Sequence, residues 1–309
     1  MDNLIEQFFY DQIDSWPLAR ENYDQLRAVE QRTIMFGEFP VVLQWNPARI
    51  RSTAAKVDSA SISQRPCFLC RDNRPDEQIV DESLVPDYDF LVNPFPIFPF
   101  HYTISSREHC HQDNLNLYTM AEFAIEHPEL LAFYNGSKSG ASAPDHLHFQ
   151  AGNKEFLPLY DYIDYSTARI DIDFFPLVVR TYHELPMKFL HITLQCDDNE
   201  ALKSRLDIID DLCADKAMRN IFMFVKKEGF LEVLLFPRIS HRPSCYFLTG
   251  ETQIIVSPGA VDMAGVIILP REEDFDKITK EDIVKIYTEV GFDDSQLHEC
   301  RLGRSCRLL

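Results

Sequence analysis

Apolar residues recur every three or four positions in several segments of the chain, and this spacing predicts helices with one buried face. In 115–126, for example, Leu117, Met120 and Ala121 fall on one side, and Pro128 ends the pattern. We predict a helix in each segment that has this period. These segments are 1–32 (with a break at Pro17), 115–126, 199–214 and 280–290.

Other segments alternate between apolar and polar residues, or are short runs of β-branched and aromatic residues, which is the pattern of strands. Gly37 and Gly229 lie where hairpin turns are expected. The proline-rich stretch 93–99 cannot be a central strand, because proline has no N–H to donate. The predicted strands are 33–44, 90–92, 101–105, 130–134, 146–150, 174–180, 188–195, 220–225, 230–237 and 264–272.

The order of these elements predicts an α+β fold built from two related halves. Strands, one crossing helix and two further strands fill the first half, and a similar succession begins after about residue 160. Segments 102–108 and 266–272 both run from a strand into an Arg-Glu turn before a helix, as expected for a duplicated unit. We therefore predict an N-terminal half, 1–160, and a C-terminal half, 161–309, each with an antiparallel sheet and crossing helices.

Composition and charge narrow the range of partners. The chain has 309 residues, 45% of them hydrophobic, with 30 Lys and Arg against 49 Asp and Glu, which gives a formal charge of −19. Such a surface repels polyanions, so we expect no binding to DNA, RNA or an anionic membrane. The sequence contains no run of about 18 apolar residues and does not start with a basic segment, which predicts a soluble, cytoplasmic protein.

Candidate chemistry is concentrated in one short predicted strand. His146, His148 and Gln150 alternate with Leu147 and Phe149, so a strand would present the three polar side chains on one face. A neutral imidazole is a nucleophile at physiological pH, and a neighbouring carboxamide can donate to a phosphoryl oxygen. A histidine on a strand is more often structural. The glycine- and serine-rich loop before this strand instead favours chemistry at phosphorus.

We predict that His148 attacks an α-phosphorus and holds the nucleotide as a covalent nucleotidyl-histidine until an acceptor removes it. A backbone carbonyl that accepts from the other ring nitrogen would orient the imidazole. The charge that develops on the phosphoryl oxygens requires fixed donors. Gln150, Ser142 and the amides near Gly140 can supply them, helped by Asn135 or Lys138.

Cys67 and Cys70 predict a metal site. Their two-residue gap is that of a zinc knuckle, whose tetrahedral site requires two further ligands. His109 follows a strand end and His146 begins the key strand, so both can reach the cysteines. A zinc ion with four protein ligands would be structural, and the alternative is a pair of buried thiols. The histidines that compete for the third position are His101 and His111.

Two further groups of polar residues lie near these motifs. Asn93 can bond a ribose or a base edge, or it can form an Asx turn before Pro94. Arginines beside the cysteine pair and after the second-half hairpin are candidate phosphate contacts, with solvated surface charges as the alternative. These are Arg65, Arg71, Arg74, Arg238 and Arg242.

Segment 133–150, which contains His-Leu-His-Phe-Gln, resembles the active-site segment of the transferase branch of the histidine-triad (HIT-like) superfamily. That branch includes galactose-1-phosphate uridylyltransferase, diadenosine tetraphosphate phosphorylase and the GDP-hexose phosphorylases. The resemblance implies that His148 is the nucleophile and that Gln150 is its phosphate partner. The predicted substrate-binding residues are Asn93, Asn135, Ser137, Gly140 and Ser142.

Three other segments support the resemblance. Segment 93–105 is similar to the family's nucleoside-side strand, which implies a ribose or base contact for Asn93. Segment 67–70 is similar to the zinc pair of the uridylyltransferases, whose other ligands match His109 and His146. Segment 256–265, with the strand after it, is similar to the distal part of the GDP-hexose phosphorylases.

The sequence thus predicts a nucleotidyltransferase of the phosphorylase or uridylyltransferase type, with structural zinc at Cys67, Cys70, His109 and His146. The expected substrate is a nucleoside-diphosphate sugar or a dinucleoside polyphosphate, and the acceptor is phosphate or a sugar phosphate. Two alternatives are a nucleotide hydrolase on the same scaffold and a non-catalytic, zinc-stabilised nucleotide-binding protein. Analogy with the family also implies a homodimer.

Overall fold

A large antiparallel sheet is the central element of the protein. The computed structural model describes residues 3–50, 61–62, 64–163, 168–174 and 177–305. In this part of the chain the strands are β1 (Glu30–Phe36), β2 (Phe39–Trp45), β3 (Tyr88–Val92), β4 (His101–Ser106), β5 (Leu130–Asn135), β6 (His148–Asn153), β7 (Arg169–Phe174), β8 (Leu177–Thr181), β9 (Leu190–Gln195), β10 (Arg219–Lys227), β11 (Phe230–Pro237) and β12 (Val266–Leu269). The α-helices are α1 (Asn3–Ser15), α2 (Pro17–Arg27), α3 (Leu117–Glu126), α4 (Pro158–Tyr162), α5 (Asn199–Leu212), α6 (Ala260–Met263), α7 (Glu272–Lys277), α8 (Lys280–Val290) and α9 (Asp294–Ser305).

The large sheet contains nine strands in the order β3-β4-β6-β5-β10-β11-β9-β8-β7, and its neighbouring strands are antiparallel. Strands before residue 160 form one side of this sheet, later strands form the other, and the two sides meet where β5 pairs with β10. A smaller sheet, β1-β2-β12, joins an N-terminal hairpin to a parallel strand from late in the chain. The predicted α+β class is confirmed.

The two sides of the large sheet repeat one succession of elements. β4, α3, β5 and β6 correspond in order and in sheet position to β9, α5, β10 and β11. The matching strands begin with His-Tyr-Thr at 101–103 and, one residue into β9, with His-Ile-Thr at 191–193. Thr103 lies opposite Gln150, and Thr193 lies opposite Glu232. This correspondence supports a duplication, and the boundary near residue 160 stays a prediction.

The sequence similarity between segments 102–108 and 266–272 does not come from the duplication, so this part of the prediction was wrong. The first segment contains β4 of the large sheet, whereas the second contains β12 of the smaller sheet. β12 is parallel to β2, so the two segments occupy different structural environments. Both resemble a strand followed by a polar turn because many connections from strand to helix have that composition.

Apolar cores cover both faces of the large sheet. On one face, Met120 of α3 and Ile209 of α5 belong to the same buried cluster as Phe149. On the other face, Phe133 and Phe222 belong to a cluster that also includes Val266 of the smaller sheet. Strands β3, β4 and β5 are buried along their whole length, as expected for strands that are covered on both sides.

Several predicted boundaries were wrong. The segment 1–32, predicted to be helical, contains two helices, and the second of them ends at Arg27. The strand β1 already starts at Glu30. The single strand predicted over 174–180 is the end of β7 followed by β8, and residues 175–176 lie outside the described part. The key strand β6 begins at His148, so His146 precedes it instead of sharing its face. No helix among the described residues is long and apolar enough to cross a membrane.

Candidate active site

Cys67, Cys70, His109 and His146 converge on one point beside β6. Their four candidate ligand atoms all lie within 4.8 Å of one another. The Cys67 sulfur is 3.2 Å from Nδ1 of His146, and the Cys70 sulfur is 3.1 Å from Nδ1 of His109. Neighbouring ligand atoms around a tetrahedral zinc ion are about 3.3–3.8 Å apart, as expected from bond lengths near 2.0 and 2.3 Å. Two cysteines and two histidines are a zinc donor set, and their ligand atoms lie close enough together that they could hold one metal ion.

His101 and His111, which the sequence offered as alternative third ligands, lie away from this cluster. The ring of His101 is buried and bonds Gln150, and the ring of His111 accepts from the Asp113 amide at the start of a short 3-10 helix. Four protein ligands at the cluster leave no open coordination position, which is the arrangement of structural sites.

The arginines beside the cysteine pair hold the knuckle in place. Arg71 and Arg74 both bind the buried carboxylate of Asp89, at 2.9 and 2.6 Å, and Arg107 approaches it at 3.2 Å. Arg74 also donates to the Leu69 carbonyl inside the knuckle. A buried carboxylate with three arginine partners is well compensated. Arg71 and Arg74 therefore fix the knuckle to β3, and the suggestion that they contact phosphate is not supported.

His146 connects the metal cluster to the candidate nucleophile. Its Nε2 donates to the Ser106 carbonyl at 2.8 Å, which leaves Nδ1 without a proton and facing the two cysteines. Its own carbonyl accepts from Nδ1 of His148 at 2.8 Å. Outer hydrogen bonds of this kind orient metal-binding histidines. A metal held at Nδ1 of His146 would thus stiffen the backbone that orients His148.

The ring of His148 has a defined tautomer. Because a carbonyl accepts from Nδ1, the proton is on that atom and Nε2 carries the lone pair. No described group forms a hydrogen bond with Nε2. Burial, with a smaller opposing effect from the His146 carbonyl, lowers the pKa of His148 to about 4, so the ring is neutral near pH 7. A neutral imidazole with one unprotonated nitrogen is the form that attacks phosphorus.

Gln112 fixes the backbone of His148, and the sequence did not indicate this role. The register of β5 and β6 pairs Phe133 with Gln150, and two residues further along it would place Asn135 opposite His148. The buried carboxamide of Gln112 lies between them instead. It accepts from the His148 amide at 2.9 Å and donates to the carbonyls of Asn135 and His148 at 2.8 and 2.9 Å. This bridge ties the end of β5 to the start of β6.

His101 orients the side chain of Gln150. The Ile97 amide donates to Nδ1 of His101, so the ring proton is on Nε2, which donates to Oε1 of Gln150 at 2.9 Å. Burial lowers the pKa of His101 to about 3, which keeps this ring neutral. Asn93 also donates to the same oxygen, at 3.4 Å. With its oxygen occupied, Gln150 has its Nε2 donor left for a ligand, and no described residue accepts from it.

Asn93 forms an Asx turn and also lies in a cavity wall. Its Oδ1 accepts from the Phe95 amide at 2.9 Å, which is the Asx turn across Pro94. Its Nδ2 donates to the Thr103 hydroxyl at 3.0 Å, and the residue also lines a large cavity. The turn thus holds Asn93 in the cavity wall, and its contact with a ribose or a base stays a prediction.

This cavity has a volume of about 730 Å³ and is lined by residues from both halves of the chain. Pockets for small molecules have volumes of about 300–1,000 Å³. Among the predicted site residues, those in its wall are Asn93, Asn135, Gly140, Ser142 and Gln150. His148 lies behind this wall, two residues before Gln150 on the same strand, and is almost fully buried.

The cavity wall is locally positive although the chain as a whole is acidic. Arg49, Arg65 and Arg242 line it, and Asp262 is the only carboxylate among its described lining residues. Burial raises the pKa of Asp262 to about 6. Its oxygens accept from the amides of Gly259 and Ile268. A wall with three guanidinium groups and one carboxylate favours an anionic ligand.

Ser137 does not line the cavity. Its hydroxyl donates to Oδ2 of Asp113 at 2.7 Å, and its amide donates to Oδ1 of the same carboxylate at 3.0 Å. These bonds anchor the loop that follows β5. The substrate contact of Ser137 stays a prediction, and its observed role is to hold this loop.

The loop before His146 requires glycine at position 140. Gly140 has φ +106°, and a Cβ atom there would lie 2.6 Å from Cα of Gly259 in the second half. Two backbones can approach this closely only where side chains are absent. The loop that carries Ser142 therefore packs directly against the segment that begins α6.

Comparisons with known proteins agree with this geometry. A family model described as a domain of unknown function (DUF4922) matches residues 8–153, and a model described as a GDPGP1-like C-terminal domain matches residues 184–302. The crystal structure of yeast Ap4A phosphorylase Apa2 in complex with Ap4A matches with a TM-score of 0.62 and 16% identity, over 94% of this chain and 98% of that one. The complex of Apa2 with AMP matches with a TM-score of 0.59 and 16% identity, over 93% and 96%. A search of curated proteins found no match.

The similarity to Apa2 at this identity shows a shared fold. The predicted resemblance is therefore borne out at the level of the fold. The GDPGP1-like model matches residues 184–302, which include segment 256–265. The solved neighbour is a phosphorylase, whereas an enzymatic activity of this chain stays a prediction.

Proposed function

We propose that this chain, whose fold is shared with a yeast phosphorylase, transfers a nucleoside monophosphate through a covalent bond to His148. The observation that carries the proposal is the state of the His148 ring. Its Nδ1–H is held by the His146 carbonyl, and its Nε2 has no partner among the described groups. The adjacent cavity wall provides an amide donor from Gln150 and three guanidinium groups.

In the first step, Nε2 of His148 attacks the α-phosphorus of the bound nucleotide. A nitrogen–phosphorus bond forms, the bond from phosphorus to the bridging oxygen breaks, and that oxygen leaves with the electron pair. The proton stays on Nδ1, where the His146 carbonyl stabilises the charge that develops on the ring. Nε2 of Gln150 and the loop at Gly140 are placed to donate to the phosphoryl oxygens, whose negative charge rises in the transition state.

In the second step, an oxygen of the acceptor attacks the same phosphorus, and the bond to His148 breaks. We propose that the acceptor is inorganic phosphate or a sugar phosphate, because the arginines of the cavity favour an anion over water. The ring returns to its neutral state with the proton still on Nδ1. The nucleotide therefore changes partners without passing through free nucleoside monophosphate.

The substrate that we propose is a dinucleoside polyphosphate or a nucleoside-diphosphate sugar. Apa2, which shares the fold, binds Ap4A, and the C-terminal half matches a GDPGP1-like model. A cavity of about 730 Å³ with a positive wall is compatible with either class. We propose Asn93 as a ribose or base contact, and Asn135 and Ser142 as phosphate contacts.

We propose that the metal is zinc and that its role is structural. Cys67, Cys70, His109 and His146 would hold it, and it would neutralise the two thiolates and fix the turn before β6. We also propose that 1–160 carries the reacting groups and that 161–309 completes the cavity. His241, Arg242 and Ser257 are second-half residues in the cavity wall.

A phosphorolysis assay tests this function. The chain is mixed with dinucleoside polyphosphates or nucleoside-diphosphate sugars, with and without inorganic phosphate, and the products are separated by chromatography. The proposal predicts a nucleoside diphosphate that appears only when phosphate is present. It also predicts a loss of at least about a thousandfold in His148→Ala, as for other essential nucleophiles. His183→Ala, at a half-exposed histidine far along the chain, is the matched control and should retain activity.

Two other results of this assay would support a different function. Nucleoside monophosphate formed at the same rate without phosphate would identify a hydrolase. Binding of nucleotides without turnover across the whole panel would identify a non-catalytic nucleotide-binding protein.

A further inference from the structure

The carboxamide of Asn135 has only one possible orientation. Its Oδ1 accepts from Nδ2 of Asn220 at 2.8 Å and from the backbone amide of Ala260 at 2.7 Å. A backbone amide can only donate, so the atom facing Ala260 must be the oxygen. With both lone pairs of Oδ1 occupied, Nδ2 is the free donor of a residue that lines the cavity. No described group accepts from that nitrogen.

Asn220, from the other side of the large sheet, is equally fixed. Its Oδ1 accepts from Nη1 of Arg238 at 2.5 Å, and a guanidinium group can only donate. Its Nδ2 must then point away from Arg238, towards Asn135 and the Ser139 carbonyl, which accepts at 2.6 Å. Asn220 is fully buried and lies opposite Asn135 where β10 pairs with β5.

Arg238 anchors this chain of hydrogen bonds. Its five N–H groups are all used: one reaches Asn220, and the other four reach backbone carbonyls. The residues that supply those carbonyls are Pro258, Ser240, His241 and Val290. The side chain is buried and binds no carboxylate directly. Such a group has no freedom to rotate and holds Asn220 in one orientation.

Close backbone packing adds to this arrangement. A Cβ atom on Gly259 would lie 3.1 Å from Oδ1 of Asn135, and one on Gly140 would lie 2.6 Å from Cα of Gly259. The amide of Ala260 can approach Asn135 only because both neighbouring positions are glycine. The second half thus surrounds the oxygen of Asn135 with donors and leaves its nitrogen exposed to the cavity.

We propose that Arg238 and Asn220 are positioning residues, which hold the Asn135 carboxamide with its N–H donors directed at the phosphoryl group of the bound nucleotide. This inference rests on the proposed function and assigns the second half a defined part in the reaction. The alternative is that the chain of hydrogen bonds only stabilises the contact between β5 and β10.

The substitution Asn220→Asp distinguishes the positioning role from a purely structural role. The carboxylate is nearly isosteric with the amide and still accepts from Arg238, with which it forms an ion pair. It cannot donate to Asn135, whose oxygen then faces a carboxylate oxygen on one side and the Ala260 amide on the other. The Asn135 carboxamide is therefore expected to lose its single orientation, so that its nitrogen is no longer held towards the nucleotide. We expect kcat/KM for nucleotide transfer to fall about 10- to 100-fold, the value of one hydrogen bond to a charged group. Asn46→Asp, at a buried asparagine that does not line the cavity, is the matched control.

A double-mutant cycle with Asn135→Ala provides the decisive readout. If Asn220 acts through the Asn135 amide, then Asn220→Asp should change kcat/KM by less than about threefold once that amide is gone. An equal loss in both backgrounds, or no loss in the wild-type background, overturns the proposal. If Asn220→Asp does not fold, Asn220→Ala removes the same donor to Asn135 without placing a carboxylate in the sheet. It should lower kcat/KM in the wild-type background but not in Asn135→Ala.

The control for the function itself is the wild-type chain. Absence of turnover and of nucleotide labelling in the wild type would count against the proposed function. A wild type that turns over, with additive effects of the two substitutions, would count only against the positioning role.

Discussion

Replacing Gln112 by methionine should loosen the junction between β5 and β6 at which His148, the proposed nucleophile, lies. Methionine has a similar volume and fills the same buried space without any hydrogen bond. The substitution removes three bonds, one to the His148 amide and two to the carbonyls of His148 and Asn135. Because Gln112 is fully buried, water cannot easily replace them.

The size of the effect follows from the number of bonds. Each hydrogen bond lost in a buried place costs about 1 kcal/mol, and up to about 3 kcal/mol if the remaining group stays unsatisfied. Three bonds therefore give a loss of about 3–9 kcal/mol in the free energy of unfolding, which is large against a typical total of about 5–15 kcal/mol. Nucleotide transfer should fall at least about tenfold, because the backbone that orients His148 is no longer held to β5.

Urea unfolding followed by circular dichroism measures the first effect, and the phosphorolysis assay measures the second. Gln25→Met is the matched control, since Gln25 is exposed and bonds only Glu21 on the same helix, so its change should stay within about 0.5 kcal/mol. A loss of unfolding free energy below about 1 kcal/mol in Gln112→Met would refute the view that Gln112 takes the place of a pair of backbone hydrogen bonds between β5 and β6.

Three other substitutions test separate parts of the account. Cys70→Ser should lower bound zinc to less than about a tenth of the wild-type content, measured by elemental analysis, and unchanged content would remove the metal site. Gly140→Ala should cost about 2–4 kcal/mol of unfolding free energy, because it adds a contact at 2.6 Å to a positive φ. Gly37→Ala is the control, because Gly37 has φ +61° and open space around it, and it should cost about 1–2 kcal/mol. Equal losses of unfolding free energy in the two variants would contradict the close approach of Gly140 to Gly259. Burial raises the pKa of Asp262 from 3.8 to about 6, so the native state keeps a proton that the unfolded state releases. The contribution of Asp262 to stability should therefore fall as pH rises from about 4 to 6, by about 1.4 kcal/mol per pH unit at most. Asp262→Asn should show a flatter dependence in urea unfolding, and an unchanged slope would refute this assignment.

The sequence was sufficient where the chemistry lies in one short segment. His148 and Gln150 are two residues apart, so strand periodicity already places them on one face. Cys67 and Cys70 have the spacing of a zinc knuckle, and the four predicted ligands do converge on one point where they could hold a metal ion. Local spacing indicates these features because the geometry of one turn or one strand fixes the distances.

The sequence failed where position depends on contacts between distant segments. Nothing in the local pattern indicates that Gln112 bridges β5 and β6, or that Asn220 bonds Asn135 85 residues away. His146 was placed on the strand because it continues the alternation, yet its metal-binding position requires the turn before β6. The role of the second half was invisible for the same reason. Asn220, Gly259 and Ala260 lie around the Asn135 oxygen only in the folded protein.

The central claim is that His148 carries the nucleotide, and mass spectrometry of the intact chain tests it most directly. The chain is mixed with each candidate donor in the absence of acceptor, quenched at neutral or alkaline pH because phosphoramidates are acid-labile, and digested for peptide mapping. The account predicts an added nucleoside monophosphate on His148, its loss on addition of phosphate, and no adduct in His148→Ala. Turnover of the same donor without any adduct on His148, or an identical adduct in His148→Ala, would contradict the account.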